Sequence, residues 1–189
     1  MIIHDRKCSR LNYHFALLNR DNMHLASQFD CGNKAINRVL KDYAYKADDM
    51  VTYLFIDSDN DHLIGFASLS CSAICIEEGV FHQALPAIEV RYFALANEYQ
   101  KIRVIDLDDN EDDPYYISDE IFSQVIAIIR EISQQSVGAQ YMILYSVPDA
   151  RSFYDKFHMK PFEEFVFEHV WEQNKAYLDG CKPLFLPLF

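Results

Sequence analysis

The chain has few residues that interrupt regular secondary structure: its 189 residues include five glycines and six prolines. Half of the residues are hydrophobic, which excludes a disordered or fibrous protein and predicts a folded one. Not one glycine stands between Gly79 and Gly138, so this long segment contains no glycine-rich loop. The length suffices for one domain with a full core and is short for two, so we predict a single domain over 1–189.

Cysteine is also scarce and odd in number, with residues 8, 31, 71, 75 and 181 scattered along the chain. Such a set does not form a disulfide framework, so we predict reduced thiols in the cytoplasm. Cys71 and Cys75 lie on one face of a predicted strand, but no histidine stands at a spacing that would complete a zinc site. We therefore predict no bound metal.

The sequence lacks a secretory signal, a long apolar run and an excess of basic charge. Charged residues follow the short apolar pair at the N-terminus, and no apolar run approaches the ~20 residues that a membrane helix needs. The formal net charge of −12 disfavours broad, charge-driven binding to nucleic acid. These features predict a soluble cytoplasmic protein that does not bind membranes.

Hydrophobic periodicity predicts strands over 13–18, 51–57, 63–76, 87–96, 141–147 and 160–172, and helices over 22–29, 34–47, 118–135 and 148–157. We predict a loop over 77–85, an irregular acidic insert over 97–117 and an apolar tail over 180–189. Ser118 is the expected cap of the long helix and Gly138 its expected end. The order of elements predicts an α/β fold with a mixed sheet and helices on both faces.

The strand over 141–147 and the helix that follows it form the most informative stretch. Ala150, Phe153 and Phe157 make the inward stripe of that helix by their spacing, and Tyr154 lies beside the stripe. This spacing predicts a phenol at the border between the core and a cleft. By spacing alone, Tyr154 is either a boundary aromatic residue or a proton donor to a leaving group.

Several short segments, in a fixed order along the chain, carry a family resemblance: Phe29–Asn37, Leu63–Ser70, Leu85–Ala87, Tyr92–Leu95, Tyr99–Gln100, Gly138–Ala139 and Ala150–Phe157. The chain resembles the GNAT-type N-acyltransferases over roughly residues 10–172. It is most similar to the branch of toxins that acetylate the amino group of aminoacyl-tRNA.

The resemblance implies acetyl-CoA as co-substrate and a mostly antiparallel sheet whose two central strands splay apart. It implies that the pantetheine arm bonds the backbone of the first of these strands, at Phe93, Ala94 and Leu95. The tyrosine matching Tyr154 then protonates the leaving thiolate. Glu89 is the strand-borne candidate for accepting the proton of the amine, unless it serves as a structural carboxylate paired with a neighbour.

The segment matching the family's pyrophosphate loop departs from the family pattern, because Lys101 and an acidic run follow Gln100 where the family has glycines. The acidic run also lacks the glycine and the final glutamate of a calcium loop. Three outcomes stay open. Bare amides near Ser118 bind CoA with help from Gln100, Lys101 and Arg103; or another donor is used, or CoA is bound weakly; or the fold is a binding module without catalysis.

Two further features follow from the resemblance. His158 stands where the family has glycine after the tyrosine helix, so we predict a left-handed helix end there. Lys34, Arg38 and Lys41 form a basic stripe, which would face tRNA in a toxin-like protein and is otherwise a solvated face; the net charge favours the solvated face.

The sequence thus predicts an enzyme that transfers an acetyl or related acyl group from acetyl-CoA to a primary amine of a small molecule or peptide. The alternatives are a protein-binding module and a toxin-like aminoacyl-tRNA acetyltransferase. A homodimer or a protein partner stays open.

Overall fold

The computed structural model describes residues 11–78, 81–104, 114–162 and 180–189, and statements about structure refer to these ranges. Contacts divide the chain into two compact units, residues 1–68 with 92–125 and residues 69–91 with 126–189. The single domain over 1–189 stays a prediction.

The described residues form seven strands, three α-helices and four short 3₁₀ or π turns. The strands are β1 Tyr13–Leu17, β2 Val51–Asp57, β3 His62–Glu78, β4 Phe81–Leu95, β5 Tyr141–Ser146, β6 Lys160–Pro161 and β7 Lys182–Pro187. The helices are α1 Lys34–Arg38, α2 Ile117–Ile132 and α3 Arg151–Asp155. The 3₁₀ turns are Met23–Gln28 and Pro148–Ala150, and the π turns are Val39–Tyr43 and Ser133–Val137.

The strands belong to one mixed, mostly antiparallel sheet in the order β1-β2-β3-β4-β5-β7-β6, which confirms the predicted fold class. β1 pairs with β2 and β7 pairs with β5 and β6, all antiparallel. β4 and β5 are parallel, and their register covers Ala87–Val90 and Tyr141–Leu144. Both strands continue beyond this register, β4 to Leu95 and β5 to Ser146.

Aromatic rings and one apolar helix face make the core of the first unit. Phe29 packs edge-on against Phe66, with ring centroids 5.4 Å apart. The first turns of α2 bury Ile121, Phe122 and Val125, as the predicted amphipathic pattern requires. A helix with one apolar stripe therefore covers this unit, as expected from its spacing.

The core of the second unit is a cluster of buried apolar residues from four strands and the residue after β6: Ile74, Ala87, Ile143, Phe162 and Phe185. Phe185 of β7 is its centre, because its ring contacts those of Tyr141 and Phe162. The apolar tail predicted over 180–189 contains β7, a strand that the sequence pattern did not predict. Prolines near both ends of Lys182–Pro187 suggest a loop, but the three buried residues between them belong to a strand that is paired on both sides, with β5 and β6.

Three predicted boundaries were wrong. Residues 77–78 and 81–85 belong to β3 and β4 instead of a loop, because polar residues such as the exposed Gln83 are tolerated on a solvent-facing strand. The helix predicted over 34–47 is an α-helical turn followed by a π turn, and α2 begins one residue before Ser118. Of the strand predicted over 160–172, β6 is described, and residues 163–172 lie outside the described ranges.

Candidate active site

Tyr154 lies in the second unit, on the short helix α3 that follows β5. The chain leaves β5 at Ser146, makes a 3₁₀ turn that starts at Pro148, and continues directly into α3. Proline suits the first turn of a helix, since its missing N–H has no partner there. Tyr154 is the one buried residue of α3, and the ring of Phe153 packs edge-on against it at 5.0 Å. The phenol therefore points inward instead of lying at a border beside the stripe.

The protonation of Tyr154 is set by its surroundings. The side chain is 9% exposed, and this burial raises the pKa of its phenol well above the usual range, because a buried phenolate loses its hydration. The sulfur of Cys181 raises the pKa further through its charge when ionised. Cys181 is 27 positions away along the sequence, and no sequence signal pointed to this proximity.

The end of α3 is closed by a residue in the left-handed conformation. His158 has a φ of 57°, which confirms the predicted helix end. The N–H groups of Phe157 and Met159 both donate to the carbonyl of Tyr154. This capping fixes the turn that carries the phenol. His158 contributes through its backbone conformation, while its side chain is exposed.

Glu89 also lies in the second unit, on β4 at the position opposite Ile143 of β5. Its side chain is buried. A buried carboxylate needs a polar or charged partner, and Glu89 is not without one. The structure therefore places Glu89 on the central strand, and its role as a base stays a prediction.

Phe93, Ala94 and Leu95 form the end of β4 in the first unit. Phe93 is half-buried and packs on Phe122, while Ala94 and Leu95 are buried. Gly65 of β3 lies so close that a Cβ built on it would stand 2.6 Å from the carbonyl oxygen of Ala94. This close approach explains why the predicted motif carries glycine at position 65.

The segment after β4 is held in place by hydrogen bonds from side chains and from one backbone N–H. The amide nitrogen of Gln100 donates to the carbonyls of Cys31 and Leu95, at 3.1 and 2.9 Å. The N–H of Asn97 donates to the carbonyl of Asp30, and the OH of Tyr99 donates to the carboxylate of Asp57 at 3.0 Å. Both donors of the Gln100 amide group are thus used within the chain.

The motif Phe29–Asn37 supplies carbonyl groups that accept two of these hydrogen bonds. The carboxylate of Asp30 accepts hydrogen bonds from the N–H of Gly32 and the side chain of Asn37, at 2.8 and 2.7 Å. These bonds hold the pKa of Asp30 below its usual value. The motif therefore shapes the loop whose carbonyls receive Asn97 and Gln100, a structural role that its sequence did not reveal.

Lys101 is exposed, and Arg103 is half-buried and forms an isolated bridge with Tyr116. The N–H of Val104 donates to Tyr115, and that of Ile117 donates to Ile102. Residues 102–104 and 115–117 are therefore paired with each other where α2 begins, and residues 105–113 between them lie outside the described ranges.

The N-terminus of α2 supplies its own partners. Ser118 was predicted to be the cap, but it is the second helical residue, and Tyr116 takes the capping position. The N–H of Tyr116 donates to the Asp119 carboxylate at 2.9 Å, and the N–H groups of Asp119 and Glu120 donate to the Tyr116 carbonyl. The amides near Ser118 are therefore largely occupied, which disfavours the first of the three outcomes that the sequence left open.

Beyond the predicted residues, one cavity of about 460 Å³ lies in the first unit. None of the predicted site residues lines it; its walls are His24, Leu25, Gln28, Phe29, Asn60, Asp61, His62, Leu63, Ala96 and Glu98.

Among the described residues, no three His, Cys, Asp or Glu side chains are grouped as metal ligands would be. None of the described helices is long and apolar enough to cross a membrane.

Comparison with known proteins gives structural matches alone, since no family model and no curated protein sequence matches the chain. The chain is similar to the structure of AtaT complexed with acetyl-methionyl-tRNAfMet, with 16% identity, a TM-score of 0.65, and coverage of 93% of this chain and 95% of that one. It is similar to AtaTR bound with acetyl-CoA, with 16% identity, a TM-score of 0.63 and 93% coverage of both chains. It also matches a protein from Desulfovibrio desulfuricans assigned to the GNAT acetyltransferase family, with 10% identity, a TM-score of 0.50, and coverage of 94% and 99%. The resemblance predicted from the sequence is confirmed at the level of the fold.

Proposed function

We propose that the protein is an acyltransferase that moves an acetyl or related acyl group from a CoA-type thioester to a primary amine. The observation that supports this most is the fold, which is shared over nearly the whole chain with structures that carry acetyl-CoA or an acetylated aminoacyl-tRNA. In this proposal, the backbone of Phe93–Leu95 bonds the pantetheine arm. Tyr154 is the general acid.

The proposed reaction needs two proton transfers. The neutral amine attacks the thioester carbonyl carbon, the new C–N bond forms, and the C–S bond breaks to release a thiolate. The amine nitrogen loses a proton to a carboxylate or to water, and Glu89 is the strand-borne carboxylate assigned to this step. The thiolate takes the phenolic proton of Tyr154, and solvent restores the phenol.

The surroundings of Tyr154 keep its phenol protonated and at the same time make it a weaker acid than an exposed tyrosine. Because burial raises the pKa of the phenol, the side chain stays neutral across the neutral pH range and always has a proton to give. A thiolate leaving group accepts a proton readily once the C–S bond breaks, and a general acid in this position contributes about 10²–10⁴-fold to a rate.

The test compares wild type with Tyr154→Phe, which keeps the ring and its contact with Phe153. Acetyl-CoA is mixed with a panel of amino-acid amides, polyamines and peptides, and free thiol and acetylated amine are both quantified. We expect kcat to fall about 10²-fold or more, while the affinity for CoA measured by calorimetry stays unchanged.

Tyr141→Phe is the matched control, since it removes a phenol from a half-buried ring of the same unit, packed on Phe185. We expect this control to keep the wild-type kcat. Equal kcat values for Tyr154→Phe and wild type would remove Tyr154 from the mechanism. If CoA and pantetheine both fail to bind at millimolar concentration, the acyltransferase proposal itself fails.

A second candidate function is supported by the likeness to AtaT complexed with acetyl-methionyl-tRNAfMet. In this candidate, the acceptor is the amino group of an aminoacyl-tRNA. Expression of the wild-type chain then arrests growth, and Tyr154→Phe relieves the arrest. A wild-type chain that leaves growth unaffected counts against this candidate and leaves transfer to a small amine or peptide standing.

A further inference from the structure

The start of α2 offers little room for a phosphate group. A phosphate at a helix N-terminus is held by several free backbone N–H groups that point to it. Here four of the five amides from Tyr116 to Glu120 already donate within the chain: Tyr116 to Asp119, Ile117 to Ile102, and Asp119 and Glu120 to Tyr116. Free amides are the essential part of such a cradle, and α2 has used most of them.

The charge at this helix end is also unfavourable to an anion. The Asp119 carboxylate is 1% exposed, so it cannot swing out into solvent to make room. Glu120 accepts hydrogen bonds from the phenols of Tyr13 and Tyr115, at 3.2 and 3.0 Å, which hold a second carboxylate beside the first. Burial and the charges of these two carboxylates raise the pKa of Tyr115 to about 12, as expected where negative charge is concentrated.

The segment between β4 and α2 contains no glycine, the residue whose backbone approaches a diphosphate most easily. The Gln100 side chain is committed to the carbonyls of Cys31 and Leu95. Among the described residues of the first unit, the start of α2 thus lacks an amide cradle for a diphosphate.

We infer that the acyl donor is recognised through its pantetheine thioester arm, and that the adenosine 3′-phosphate 5′-diphosphate portion of CoA contributes little. This inference rests on the proposed acyltransferase function and specifies its substrate class. Any thioester of pantetheine, whether or not it carries the nucleotide, is then a competent donor.

The test measures binding of four compounds by calorimetry at 50 and 300 mM KCl: CoA, 4′-phosphopantetheine, pantetheine and adenosine 3′,5′-bisphosphate. We expect CoA and pantetheine to bind with dissociation constants within about threefold of each other, and the bisphosphate not to bind. Transfer rates from S-acetyl-pantetheine and acetyl-CoA to the same amine should agree equally well. The CoA affinity should not weaken as the salt concentration rises, because the inference assigns no phosphate–cation contact to it.

The Asp119→Asn variant removes one charge and keeps an oxygen that can accept the Tyr116 N–H. We expect it to improve CoA binding without changing pantetheine binding. CoA binding that is tenfold or more tighter than pantetheine binding, or weakened strongly by salt, overturns the inference and leaves the acyltransferase proposal intact. Failure of both CoA and pantetheine to bind overturns the acyltransferase proposal together with it.

Discussion

Asp57 shows how a single buried carboxylate organises the first unit. Its side chain is 3% exposed and accepts hydrogen bonds from the Asp59 N–H, the Asn60 side chain and the Tyr99 phenol. Burial raises the pKa of Asp57, but the hydrogen bonds outweigh it and lower the pKa overall. The ionised carboxylate thus ties the end of β2 to the segment after β4.

The lowered pKa makes a prediction about stability. A carboxyl group whose pKa is lower in the folded chain stabilises it above the unfolded pKa of about 3.9, and this contribution is lost as the pH falls through the folded value. We expect Asp57→Asn to reduce the free energy of unfolding at pH 7 by about 2 kcal/mol. The difference in the free energy of unfolding between wild type and Asp57→Asn should become smaller below pH 4. Urea unfolding at pH 7, 5 and 3.5 measures it.

Tyr99→Phe is the comparison variant, because it removes one of the hydrogen bonds that the Asp57 carboxylate accepts and keeps the charge. We expect it to cost about 1 kcal/mol at pH 7. A gap between wild type and Asp57→Asn that stays constant from pH 7 to 3.5 would contradict the role assigned to ionisation.

Residue roles were predictable from the sequence where a local pattern sets them. The left-handed His158 and the helix-ending Gly138, with φ of 57° and 62°, follow from their places after helices. The inward orientation of Tyr154, the Asp57–Tyr99 bond and the approach of Cys181 to Tyr154 depend on contacts between residues that are distant in sequence. Spacing within one helix cannot reveal such contacts.

At the scale of elements, the pair β3–β4 depends on Gly65. A Cβ at this position would stand 2.6 Å from the Ala94 carbonyl oxygen and 3.3 Å from the Leu95 Cα, both of them backbone atoms. The strands would have to move apart, so we expect Gly65→Ala to lower the free energy of unfolding by about 2 kcal/mol or more. Urea denaturation measures the change.

Gly138→Ala separates this steric cost from the cost of losing a glycine. Nothing lies within 4 Å of a Cβ at Gly138, so its cost is the left-handed φ, about 1 kcal/mol. We also expect Gly65→Ala, and not Gly138→Ala, to weaken pantetheine binding, because Ala94 and Leu95 form the proposed donor strand. Equal losses of stability in the two variants would show that Gly65 has no special packing role.

The elements of the fold were predictable where hydrophobic periodicity is strong. β2 has the predicted bounds, and β1, β5 and α2 differ from theirs by a few residues. β7 was missed because prolines flank its three buried residues, and α1 was predicted too long because a π turn follows it. In each case contacts across the sheet or a local change of helical geometry overrode the sequence pattern.

At the scale of the whole molecule, charge bears on the choice between the two candidate acceptors. The net charge of −12 opposes the approach of a polyanion such as tRNA, while a small amine is drawn to it. The basic stripe predicted at Lys34, Arg38 and Lys41 is exposed, and Arg38 lies 3.5 Å from Asp42. An acceptor that is a small amine or a peptide does not need this stripe, whereas a tRNA acceptor would use it for phosphate contacts.

Reversal of the stripe therefore distinguishes the acceptors. The triple variant Lys34→Glu, Arg38→Glu, Lys41→Glu changes the net charge from −12 to −18, since each replacement changes it by two. Under the proposed function, we expect the rate of acyl transfer to a small amine to stay at the wild-type value, because exposed substitutions alter stability little. The variant Arg130→Glu, Lys160→Glu, Lys182→Glu makes the same charge change at other exposed positions and serves as the control. If the first variant alone loses acetylation of methionyl-tRNA by about tenfold or more at low salt, with a loss that shrinks as the salt concentration rises, the acceptor is tRNA and the small-amine assignment is wrong.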